Sequence, residues 1–145
     1  MYLDELAIGL CAEIVRHITH DDISTFADVS GDRNPVHLDH DYARQTAFGG
    51  IIAHGMLSAS FISSILGTQL PGEGTIYLGQ SLRFLAPVRA GQRVVATARV
   101  VERPGKKIVV DVEARADEVV VLSGRLTCFV PPLDVLAPKL EETTP

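Results

Sequence analysis

Between Ser30 and His40 the chain reads Ser-Gly-Asp-Arg-Asn-Pro-Val-His-Leu-Asp-His, placing carboxylates, imidazoles and a carboxamide within a few residues of one another. Asp32, His37, Asp39 and His40 are of types that suit proton transfer, because a carboxylate and an imidazole can both hold a water and exchange a proton with it. Gly31, Asn34 and Pro35 are turn and breaker residues, and Pro35 pushes Asn34 toward an extended backbone, so the stretch is expected to be a loop rather than a regular helix or strand. The bland reading of Gly-Asp-x-Asn-Pro is a turn in which Asp32 caps backbone N–H groups. His37, Asp39, His40 and His54 offer metal-ligand chemistry, but their spacing matches no standard ligand pattern, and neither a metal nor a cofactor is expected. Asp39 reads as a helix cap and His40 as exposed, while His54 fits equally an active-site neighbour or a structural histidine ahead of a helix.

A loop of this kind needs a scaffold. A short strand is expected over 12–18, followed by a helix that Thr19 caps, with Asp21 and Asp22 in its first turn and Gly31 as its stop. Asp39 is placed to cap a short helix through Tyr42 and Ala43, ended by Gly49-Gly50. From Ile51 to Leu70 apolar residues, among them Leu57, Phe61, Ile62, Ile65 and Leu66, fall all around the helical wheel, which predicts a buried helix. At about 14 to 16 residues that helix is too short to cross a bilayer. Four β-like runs follow at 75–86, 93–102, 107–116 and 119–130, separated by short turns, and predict an antiparallel sheet.

With 145 residues, 46% of them hydrophobic and 21% charged, the chain is expected to be one globular domain over 1–133 with a weakly ordered extension over 134–145. The formal charge of -5 opposes attraction to nucleic acid or to an anionic membrane, so neither is an expected partner. Cys11 and Cys128 form no zinc spacing and are expected to be buried thiols. The first residues lack the basic and apolar regions of a secretory signal, and a cytoplasmic protein is expected.

Ser30-Gly31-Asp32-Arg33-Asn34-Pro35-Val36-His37 resembles the hydratase motif of MaoC-like (R)-specific enoyl-CoA hydratases. The similarity continues through Ala53-His54-Gly55-Met56-Leu57, Gly79-Gln80-Ser81-Leu82-Arg83-Phe84 and Pro87-Val88, nearly the whole chain. The resemblance implies an α+β hot-dog fold, in which an antiparallel sheet wraps a long central helix, and a homodimer. It also implies reversible hydration of trans-2-enoyl-CoA, as in small hydratases that feed polyhydroxyalkanoate synthesis. Asp32 and His37 would then clasp the water, and the N–H of Gly55, at the start of the buried helix, would meet the thioester oxygen. Asn34 would orient the loop, Ser63 would help fix the site, and Gln80 is a further candidate for binding or orienting the substrate. Thioester hydrolysis or simple acyl-CoA binding on the same fold are the competing expectations.

Overall fold

The computed structural model describes residue 1 and residues 3–132, so the expected extension over 134–145 lies outside the described residues. After a single 3-10 turn at Leu3–Glu5, the chain forms β1 (Cys11–His17), α1 (His20–Ser30), α2 (Pro35–Leu38), α3 (His40–Arg44) and α4 (Gly55–Thr68). Four strands complete it: β2 (Ile76–Phe84), β3 (Arg93–Glu102), β4 (Lys107–Ala116) and β5 (Val119–Phe129). They form one antiparallel sheet with β1 in the order β1-β3-β4-β5-β2. Among the described residues no helix is long and apolar enough to cross a membrane.

Alternation along β3 and β4 decides which face of the sheet meets α4. Val94, Ala96, Ala98 and Val100 on β3, with Ile108, Val110, Val112 and Ala114 on β4, are buried, whereas Arg99 and Arg115 between them are exposed. The small alanines let α4 lie close to β3, and its Leu57, Ile62, Ile65 and Leu66 fill the space between. Full burial of each such side chain stabilises the fold by about 1.5–3 kcal/mol.

Several expectations change at this point. The helix is not buried all round: Met56, Ser60, Ser63 and Gly67 form an exposed stripe, since the sheet covers one broad face only. The expected loop contains the one-turn α2, because proline is tolerated at the first helical position, where its missing N–H has no partner in any case. α3 stops at Arg44, before the glycine pair, with Gln45 already making tighter turn contacts to Tyr42 and Ala43. Cys11 is exposed, because it begins the edge strand β1, and its thiol donates to the Gly9 carbonyl at 3.3 Å. Cys128 is buried as expected, and burial pushes its thiol up to about 11.

The register on the far edge carries one residue into the site. Phe84 of β2 pairs with Leu122 of β5, which pairs in turn with Ala114 of β4. Gly124 makes this approach possible: a Cβ there would lie 2.1 Å from the Ser81 carbonyl oxygen and 2.8 Å from the Leu82 side chain. Gly124→Ala should therefore lower stability by about 1–3 kcal/mol in urea unfolding, the usual range for overpacking. Gly79→Ala, where a Cβ would have no atom within 4 Å, is the control. Equal midpoints for the two variants would remove the steric account.

Candidate active site

The loop is assembled from short-range hydrogen bonds. Gly31 ends α1 in the left-handed conformation at φ 76, with its N–H donating to the Ala27 carbonyl. Ser30 Oγ donates to the Phe26 carbonyl at 2.6 Å and accepts the Asp32 N–H at 3.1 Å. The Asp32 carboxylate accepts the Asn34 N–H at 3.2 Å, and the Asn34 carboxamide oxygen accepts the Val36 N–H at 3.3 Å, capping α2. Asn34, at φ -53 and ψ 126, has the extended ψ that a following proline imposes. Asn34 thus anchors the carboxylate through its backbone and starts the turn that carries His37.

Residues 51–54, outside any helix or strand and lying just before α4, tie this loop to the core. Ile52 donates its N–H to the Val36 carbonyl at 3.3 Å and accepts from His37 Nδ1 at 2.7 Å. Ala53 donates to the Val88 carbonyl at 2.7 Å, and His54 Nε2 donates to the Asp32 carbonyl at 2.8 Å. A carbonyl only accepts, so His37 carries its hydrogen on Nδ1 and leaves Nε2 as the basic atom.

Asp32, His37 and His54 each bring one ligand-type atom within 4.8 Å of the others. That composition is a 2-His-1-carboxylate set, but the two rings lie face to face, 3.8 Å between centroids and 27° between planes. Their lone pairs run in near-parallel planes rather than converging on one point, and one nitrogen of each ring is turned to a carbonyl. The separation between carboxylate and imidazole suits a bridging water instead.

Gly55 opens α4 directly beside this cluster. Side chains cap α1 through Thr19, α2 through Asn34 and α3 through Asp39, whereas His54 at the start of α4 makes no side-chain cap bond. The Gly55 N–H has no acceptor among the described residues and sits at the positive end of the helix dipole. The absence of a side chain here serves packing: a Cβ on Gly55 would lie 2.8 Å from the Phe84 ring. A cavity of about 300 Å³ lies against Gly55 and His54, lined by Phe48, Ile52, Phe84, Leu85 and Val121. A larger trough of about 1110 Å³ crosses the sheet beside Arg83, Arg99, Asp111 and Arg125, remote in its lining from every one of these groups. Size alone does not locate the site.

The model of the MaoC like domain matches residues 9–121. The chain belongs to the MaoC-like family. It is 46% identical over 132 residues to the (R)-specific enoyl-CoA hydratase of Rhodospirillum rubrum, covering 90% of this chain and 92% of that one. Among solved structures, the R-hydratase PhaJ1 from Pseudomonas aeruginosa superposes with a TM-score of 0.85 at 42% identity, over 90% of this chain and 85% of that one. The (R)-hydratase from A. caviae involved in PHA biosynthesis gives 0.83 at 36% identity, over 87% and 98%. The fold is the α+β hot-dog arrangement.

Within this MaoC-like domain Asp32, Asn34 and His37 share one loop, and Gly55 opens α4 directly after His54, whose ring stacks on His37. Ser63 lies exposed on α4, without a hydrogen bond to the loop among the described residues. Gln80, on β2, accepts a hydrogen bond from the Tyr77 hydroxyl. Asp39 caps α3 by accepting the Tyr42 N–H at 3.0 Å, and His40 is exposed beside the His20 ring. The Ile52 carbonyl, which fixes the His37 tautomer, carries no signal in its side chain. Histidine-selective nitrogen NMR on the folded protein should find neutral His37 with its hydrogen on Nδ1. An Nε2–H signal for His37 would remove its basic atom from the site.

Proposed function

We propose that this chain is an (R)-specific enoyl-CoA hydratase, adding water reversibly to trans-2-enoyl-CoA to give (R)-3-hydroxyacyl-CoA. The observation that carries the reading is the His37 Nδ1 contact with Ile52, which leaves Nε2 as the basic atom of a ring that lies within 4.8 Å of the Asp32 carboxylate, next to the uncapped start of α4. Identity to hydratases along nearly the full length of both chains supports the same substrate class.

The chemistry follows from those positions. Water held between Asp32 and His37 attacks C3 of the enoyl thioester as His37 Nε2 takes one of its protons, and the other stays on the new hydroxyl. The electron pair of the C2–C3 double bond moves toward the thioester carbonyl, and the Gly55 N–H donates to the oxygen on which charge gathers. The proton taken from water then returns to C2, so the addition balances without a cofactor. The carboxylate orients the water and stabilises the imidazolium between these steps. The apolar cavity against Gly55 provides room for the acyl portion.

A homodimer through β2 completes the proposal. Among the described residues β2 pairs only with β5, and Ile76, Leu78 and Phe84 are exposed along it, with Leu85 just beyond. An open apolar edge of this length invites a second strand, whereas the other edge, β1, carries exposed Glu13, Arg16 and His17.

Purified protein with crotonyl-CoA should lose enoyl absorbance without releasing free thiol. Thiol release would instead establish a thioesterase, and no change in either would leave a binding domain. Asp32→Asn and His37→Ala should each lower kcat by about 10²–10⁴ fold, the range for losing a general acid–base group, while remaining folded. Near-normal turnover in either variant defeats the mechanism, and an S product defeats the assignment. Leu78→Asp should shift sedimentation from dimer toward monomer; an unaltered dimer would place the interface elsewhere.

A further inference from the structure

His54 is only 2% exposed, and with Ser58 it is one of two buried polar side chains among the described residues. Donation from Nε2 to the Asp32 carbonyl at 2.8 Å leaves Nδ1 of the neutral ring as a bare acceptor, sealed from solvent and without a partner. An unpaired buried acceptor destabilises the fold, so packing alone would be served better by an apolar ring of similar shape. Each of the other contacts of His54 leads back to the water-holding pair. One face lies on His37 at 3.8 Å, and Phe26 packs against the ring at 4.9 Å. The Phe26 carbonyl holds the Ser30 hydroxyl that accepts the Asp32 N–H. Asp32 is thereby gripped at its N–H by Ser30 and at its carbonyl by His54.

We infer that His54 is a positioning residue for the hydration: it holds the Asp32 backbone and backs the His37 ring, so that carboxylate and imidazole keep a spacing that one water spans. This rests on the hydratase reading. A neutral donor in this place fixes Asp32 without adding a charge beside its carboxylate, and the stacked face resists tilting of His37. Because Gly55 follows directly in the chain, the same residue keeps the loop in register with the start of α4.

The test separates positioning from packing. His54→Phe retains the ring and removes both the donor and the orphaned acceptor. Its unfolding midpoint should match or exceed that of the parent, while kcat falls about 10–100 fold, the scale of a small misplacement of reacting groups, with KM nearly unchanged. His54→Gln, which restores an N–H donor at similar reach, should recover much of the lost kcat. A kcat for His54→Phe within about twofold of the parent overturns the proposal, as does a loss that follows the unfolding midpoint with no recovery in His54→Gln. Hydrogen exchange gives a readout independent of turnover: amides from Asp32 to His37 should exchange faster in His54→Phe, while those of β3 and β4 do not. Unchanged loop exchange overturns the positioning role whatever reaction the parent catalyses, whereas a parent inactive on crotonyl-CoA counts against the hydratase reading alone.

Discussion

The four residues from Ile51 to His54, outside any helix or strand, constrain the whole candidate site. Backbone and side-chain bonds from this segment reach Val36, His37 and Asp32 on one side and Val88 on the other. Each such bond is worth only about 0.5–1.5 kcal/mol net, but a buried partner left unpaired costs about 1–3 kcal/mol. The loop therefore has one arrangement that satisfies its polar groups near the core. Short-range turns alone would fix the shape of the loop but not its distance from α4. That distance is what a two-part site requires.

The helix end supplies the second part, and the sheet topology shapes it. Placing β2 on the far edge beside β5 brings Phe84 over Gly55, where a Cβ would lie 2.8 Å from the ring and displace it. Phe84 is 52% exposed, so its ring closes on Gly55 from one side and meets open space on the other. The Gly55 N–H of α4 has no acceptor among the described residues, since no side chain caps it. At the other three described α-helices a side chain fills that role. An uncapped helix start beside a cavity is costly as structure and useful as a place where an oxygen gains charge.

Local chemistry was readable in the sequence, and long-range partners were not. Thr19 with Asp22 and the stop at Gly31 depend on neighbours within one turn, and both stand as read. β3 and β4 occupy the expected residues because their alternation is regular and their turns are short. Pro35 misled as a breaker, since its effect depends on whether it lies inside a helix or at its first position. The apolar run from Ile51 cannot show that its first four residues stay outside the helix, because their bonding partners lie at Val36, His37 and Val88. For the same reason the part taken by His54 stayed open until the Asp32 carbonyl was seen beside it. The pairing of β2 with β5 rather than β3 is equally invisible to a reading of runs and turns.

In the proposed mechanism proton transfer and charge stabilisation sit on different elements, because their needs are opposite. The carboxylate must be reached by the attacking water, and Asp32 is exposed. Backbone donors act most strongly where water is excluded, and the start of α4 lies against an apolar cavity. No single loop or helix meets both conditions over the few ångströms that separate C3 from a thioester oxygen. A rigid link between a water-bathed loop and a helix start beside an apolar cavity does, provided that it carries no charge of its own beside the carboxylate. The segment ending in His54 is such a link, since its donors are backbone amides and one ring N–H, and the residue that follows is Gly55.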